Sequence, residues 1–131
     1  MSYQENGKRI RELLREIRID NGYAIEKRAI EALLNFVGSE KCPSWLLEFI
    51  PTQCTADDED GGTDGVVVTD KCDIKIQIAT SDIGLKRAKQ EHPEVPAFKV
   101  ERLSLTDEEI VEIFLPRIKR IRNKKARRHR P

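Results

Sequence analysis

The stretch Gly65-Val66-Val67-Val68-Thr69-Asp70-Lys71-Cys72-Asp73-Ile74-Lys75-Ile76-Gln77-Ile78-Ala79-Thr80 reads as the hairpin around which the chain is organised. Its opening residues are strong strand formers. From Asp73 the chain alternates, with Ile74, Ile76 and Ile78 on one face and Lys75, Gln77 and Ala79 on the other. Asp70-Lys71 fits a tight turn between them. A two-residue turn makes opposed residue numbers sum to 141, pairing Thr69 with Cys72, Val67 with Ile74 and Asp64 with Gln77. Opposed residues share a face with Cβ atoms roughly 5 Å apart. Asp64, Lys75, Gln77 and Ala79 are therefore expected together on the less apolar face. A four-residue turn keeps this register, and a three-residue turn with a bulge shifts it by one.

Upstream, Trp45 to Gln53 predicts a strand over Leu46–Pro51, followed by an acidic loop, Asp57-Asp58-Glu59-Asp60-Gly61-Gly62. A helix is expected from Tyr23 to Val37, with Ile25, Ala29, Ala32, Leu33 and Phe36 facing inward. Before it, Ile10, Leu13, Leu14 and Ile17 recur at helical spacing over 6–19, and Asp20-Asn21-Gly22 stops that helix. Downstream, Ser81 is a natural N-cap for a helix to about Gln90, ended by His92-Pro93. Ala97–Leu103 predicts another strand. Thr106-Asp107-Glu108-Glu109 is a capping box for a last helix through Ile110, Ile113 and Phe114. Pro116 is expected to kink that helix, and the chain to fray beyond Ile121. The order α-α-β-β-β-α-β-α implies an α/β (α+β) fold, a mixed sheet flanked by helices.

The 131 residues fit one domain, 38% hydrophobic and 36% charged, enough for a modest core. No apolar run approaches the roughly 20 residues a membrane span needs, and the first residues carry no secretory-type segment. Cys42, Cys54 and Cys72 lack zinc spacing, and His92 and His129 have no second ligand nearby. Reduced thiols and a cytoplasmic location are expected. Charge is unevenly spread: 117–131 holds nine Lys/Arg and no acid, while 1–116 carries 15 Lys/Arg against 23 Asp/Glu. An acidic body at 1–116 with a basic end at 117–131 points to an anionic partner, or to a solvated tail.

Glu26 is the second oddity, since its helical neighbours Ala29, Ile30 and Leu33 are all apolar. Such an acid either snorkels and pairs with Arg, or points into a cleft over the sheet. Gly22-Tyr23-Ala24-Ile25-Glu26, Gly62-Thr63-Asp64-Gly65-Val66 and Ile76-Gln77-Ile78-Ala79-Thr80-Ser81 together resemble the three motifs of the PD-(D/E)XK nuclease superfamily, in order, over residues 20–115. The resemblance implies a restriction-endonuclease-like αβββαβ core with an extra N-terminal helix and a basic C-terminal helix and tail. It implies a Mg²⁺- or Mn²⁺-dependent endonuclease, DNA favoured over RNA, with a homodimer as the usual assembly. Asp64 would bind the cation, Gln77 would take the second ligand position, the Ile78 carbonyl would face the ion, and Glu26 would be an outer ligand.

Position 79, where that family carries its catalytic lysine, is Ala79. A methyl group offers no charge to the attacked phosphate. Three readings are open: an inactivating replacement of lysine, a domain that binds without cutting, or a substitute in Lys75 on the same strand face or Lys86 on the next helix. Cleavage is expected weak or absent. In the competing reading the chain is a non-catalytic nucleic-acid-binding module, and its basic end binds. There Lys119, Arg120, Arg122, Lys124, Lys125, Arg127 and Arg128 would contact phosphates electrostatically and independently of sequence. The scarcity of aromatics, 5% of the chain, argues against a base-stacking platform.

Overall fold

The computed structural model describes residues 22–52 and 63–128. The expected helix over 6–19, the acidic loop, Cys54 and His129 lie outside them. Helix α1 spans 22–37. Strands β1 (Leu46–Pro51), β2 (Gly65–Thr69) and β3 (Asp73–Ala79) follow, then helix α2 (Asp82–Glu91), strand β4 (Ala97–Lys99) and helix α3 (Asp107–Arg128). The sheet order is β1-β2-β3-β4, antiparallel except for the β3–β4 pair, which is parallel across the α2 crossover. An α+β fold with a mixed four-stranded sheet is thus what the chain adopts.

The hairpin takes the register expected from its turn. Gly65 opposes Ile76, Val66 opposes Lys75 and Val67 opposes Ile74, and Thr69 N–H donates to the Cys72 carbonyl at 3.0 Å. The Thr69 hydroxyl closes the turn by accepting from the Lys71 and Cys72 amides. In β1 the two core residues, Leu46 and Phe49, are three apart, which simple alternation cannot place on one face. A bulge between Leu46 and Glu48 absorbs the extra residue and exposes Leu47.

One face of the sheet is covered by α1 and α3. Ile25, Ala29, Ile30 and Leu33 of α1 and Ile110, Phe114 and Ile118 of α3 bury against Phe49, Val67, Ile74, Ile76 and Phe98. Phe98 and Phe114 stack with centroids 4.6 Å apart, and the Arg117 guanidinium lies 4.6 Å from the Phe98 ring centre. Helix α2 packs on the other face and has no buried residue of its own, so that face is lightly covered.

Two expectations are corrected. The last strand is three residues, not Ala97–Leu103, because the chain leaves the sheet at Val100, whose amide makes a final bond to the Ala79 carbonyl at 2.8 Å. The C-terminal helix does not fray beyond Ile121 but continues to Arg128, 22 residues in all. It runs through Pro116, which like Glu112 is exposed, at the loss of one intrahelical bond. Ile118 is buried, so residue 116 lies within a packed helix. Among the described residues no helix is long and apolar enough to cross a membrane.

Candidate functional site

The regular ladder ends where Asp64 begins. Opposite Gln77, an unbroken ladder would turn the Asp64 amide away from β3 and toward β1. Instead Asp64 N–H donates to the Ile76 carbonyl at 2.8 Å, so Asp64 and Gly65 both address Ile76. Its carboxylate Oδ2 then accepts the Ile78 amide at 2.6 Å. A local bulge of this kind re-aims a side chain, and here it carries the carboxylate along the β3 backbone. Asp64 thus completes a ladder position that β2, turning away, no longer fills. The expected 64–77 pairing is replaced by bonds to both neighbours of Gln77.

Residues outside the motif hold Asp64 there. The Thr52 amide donates to the Asp64 carbonyl at 3.1 Å, and the Thr52 hydroxyl donates to the Thr63 carbonyl. Both threonines are buried. Sequence reasoning missed Thr52 because nothing at the end of β1 signals a partner across a loop.

Gln77 is 5% exposed. Its Nε2 donates to the Val95 carbonyl at 3.0 Å and the His92 carbonyl at 3.3 Å, tying β3 to the link between α2 and β4. The nitrogen half of the amide is therefore engaged, and Oε1 is the half that could face a cation. The N–H and C=O of a strand residue point to the same edge. The Ile78 carbonyl thus looks toward the edge where Ile78 N–H meets Asp64.

The first described turn of α1 lies at the same end of the sheet. A Cβ on Gly22 would stand 3.3 Å from Thr80 Oγ1, so the absent side chain lets this turn of the helix lie against the end of β3. Glu26 sits one turn further on, half-buried, beside the buried Ile25, Ala29 and Ile30.

Ala79 is 6% exposed beneath the first turn of α2, and a Cβ on Gly84 would come to 4.0 Å from its methyl. Lys75 is exposed and opposes Val66, on the far side of Gly65 from Asp64. It lines a groove at the β4 side of β3 instead. Lys86 is exposed on α2.

The basic residues of α3 divide in two. Arg122 is engaged: Nε and Nη2 grip both oxygens of Asp70 at 2.7 and 2.9 Å, and its guanidinium lies 5.3 Å from the Trp45 ring centre. That hydrogen bond and the guanidinium charge hold the Asp70 carboxyl below its ordinary value and raise Arg122. Lys119, Arg120, Lys124 and Arg127 are exposed and Lys125 is half-buried. Arg128 closes the helix. Arg117, the first residue of the basic stretch, donates to the Ala97 carbonyl. Cys42 and Cys72 are free thiols, and burial raises the Cys42 pKa.

Asp64 carboxylate, Ile78 carbonyl and Gln77 Oε1 are hard oxygen donors of the kind Mg²⁺ and Mn²⁺ prefer. Mg²⁺ needs few protein ligands because it keeps most of its waters. These donor types suit a hard divalent cation, but Asp64 stands on the β2 side of β3 whereas Gln77 is tied by Nε2 to the Val95 and His92 carbonyls on the β4 side. Among the described residues no three or more His, Cys, Asp or Glu side chains group as a metal site. Compared with known proteins, the chain matches no family model, no curated protein and no solved structure.

Proposed function

We propose that the chain is a restriction-endonuclease-like domain acting on nucleic-acid phosphodiesters, DNA in preference to RNA. In this reading Asp64, the Ile78 carbonyl and Gln77 hold Mg²⁺ or Mn²⁺, with Glu26 as an outer ligand. The observation that carries the reading is the Asp64 carboxylate seated on the Ile78 amide, which sets a fixed anion beside a strand-end carbonyl. When bound, such an ion polarises the phosphate and lowers the pKa of water. Asp64 supplies the negative charge of the set. Gln77 supplies a neutral oxygen and so holds the cation less tightly than an acid would. Ala79 contributes no cation to the phosphate, and the reading therefore includes slow cleavage.

The test is Mn²⁺ binding by calorimetry together with cleavage of DNA and RNA, for the chain, for Asp64→Asn and for Ala79→Lys. Asp64→Asn is expected to weaken Mn²⁺ binding by about tenfold or more, since it removes the only full charge among the three ligands. Ala79→Lys is expected to raise cleavage by on the order of 10²-fold, the usual effect of one group placed at developing charge. If neither the chain nor Ala79→Lys binds Mn²⁺ or cuts any substrate, the proposal fails.

A second reading, a module that binds nucleic acid without cutting it, is favoured by one observation. Position 79 is closed over by the first turn of α2, as suits an alanine whose role is packing. Binding that is retained by Ala79→Lys without any gain in cleavage supports this second reading.

A further inference from the structure

Strand β3 is longer than its partner on one side. It pairs with β4 only from Gln77 to Ala79, and the first bond of that pairing runs from Gln77 N–H to the Pro96 carbonyl at 2.9 Å. Even-numbered residues of β3 direct their backbone groups to β2, as the Ile76 carbonyl and the Ile78 amide show by bonding to Asp64. Odd-numbered residues therefore direct theirs to the β4 side. At Asp73 and Lys75 no strand stands there among the described residues, and their N–H and C=O groups open into a groove of about 580 Å³. Val95 and Pro96 form its end, Ile121, Lys124 and Lys125 of α3 form one wall, and Lys75 stands on the other.

We infer that this groove binds an extended acidic peptide segment, added as a further strand on the open edge of β3. A sheet edge offers donors and acceptors alternately, and a peptide backbone satisfies both. A phosphate backbone brings acceptors only and would leave the Asp73 and Lys75 carbonyls facing anions. Val95, Pro96 and Ile121 suit side chains rather than a polyanion. The charge selects acidic sequences: Lys75, Lys124 and Lys125 line the groove together with Arg117, against Asp73 and Glu94. The site lies on the opposite edge of β3 from Asp64 and is independent of the cation reading.

The experiment is fluorescence anisotropy with a labelled peptide of alternating Glu and Val. Its controls are a Lys-Val peptide, a Glu-Val peptide N-methylated at every second residue, and a single-stranded oligonucleotide as competitor. The Glu-Val peptide is expected to bind, and N-methylation or the Lys-Val sequence to weaken binding by about tenfold or more, the first by removing backbone pairing and the second by reversing charge. Lys124→Glu with Lys125→Glu is expected to do the same, at one exposed and one half-buried position, and Asp64→Asn to leave peptide binding unchanged. An N-methylated peptide that binds equally well overturns strand addition. No binding of the Glu-Val peptide overturns the proposal outright. An oligonucleotide that displaces the peptide and depends on the same two lysines assigns the groove to nucleic acid and overturns it as well.

Discussion

Gly65 faces Phe49 across β1 and β2 with no space between them. A Cβ at position 65 would stand 2.5 Å from Phe49 Cζ, and the ring it meets is itself buried. Gly65→Ala must therefore displace a core aromatic. It is expected to cost about 1–3 kcal/mol by overpacking, read as a lower urea midpoint at unchanged slope. Because Asp64 is the next residue, the same change is expected to loosen the hydrogen bond between Asp64 and Ile78. Exchange protection of the Ile78 amide measures that. At the turn of the hairpin, Asp70 titrates below its ordinary value because Arg122 holds it. A carboxylate whose pKa is depressed on folding stabilises the fold above its unfolded pKa, and that contribution is lost as pH falls through the folded value. Arg122→Ala is expected to return the Asp70 midpoint toward the ordinary carboxylate value, followed by its carboxyl chemical shift against pH.

At the scale of elements, what the sequence disclosed is what local rules govern. The alternation after Asp73 and the turn at Asp70-Lys71 set the register of β2 and β3 from Gly65 to Val68. Ser81 caps α2 by accepting the Gly84 amide at 3.0 Å, as a serine ahead of an acidic residue should. Thr106 and Glu109 form the reciprocal capping box, both bonds at 3.2 Å. Thr106→Ala removes one of the two and is expected to cost about 1 kcal/mol, measured by chemical denaturation. What stayed hidden depends on distant chain. β4 stops after Lys99 although Val100 is buried and keeps the alternation going. The bulge at Asp64 shows nothing in the residue order, because it rests on bonds to Ile76 and Ile78 of the neighbouring strand. Gln77 looked like a solvated or ligating side chain, and the carbonyls that hold it come from a loop 15 to 18 residues away. The crowded positive charge beyond Ile121 predicts fraying, yet the C-terminal helix continues to Arg128. It persists because Ile118 is buried, Ile121 packs against the core, and Asp70, 52 residues away, neutralises Arg122.

For the molecule as a whole, the basic end packs on the body through Arg117, Ile118 and Arg122. Removing everything after Leu115 deletes Ile118 and the Arg117 bond to Ala97 along with the charge. Such a truncation is expected to lower Tm and cannot report on binding alone. Charge removal at the exposed Lys119, Arg120 and Arg127 leaves the core intact. If the chain binds nucleic acid as proposed, this is expected to weaken binding uniformly across sequences, lowering the slope of log K against log salt by about one for each phosphate no longer neutralised. The grip of Arg122 on Asp70 has a practical corollary. That guanidinium rests over Trp45, and the chain contains one tryptophan. Indole emission is therefore a label-free optical gauge of whether the final helix is docked or has lifted from the hairpin tip, readable in any titration without engineering a probe.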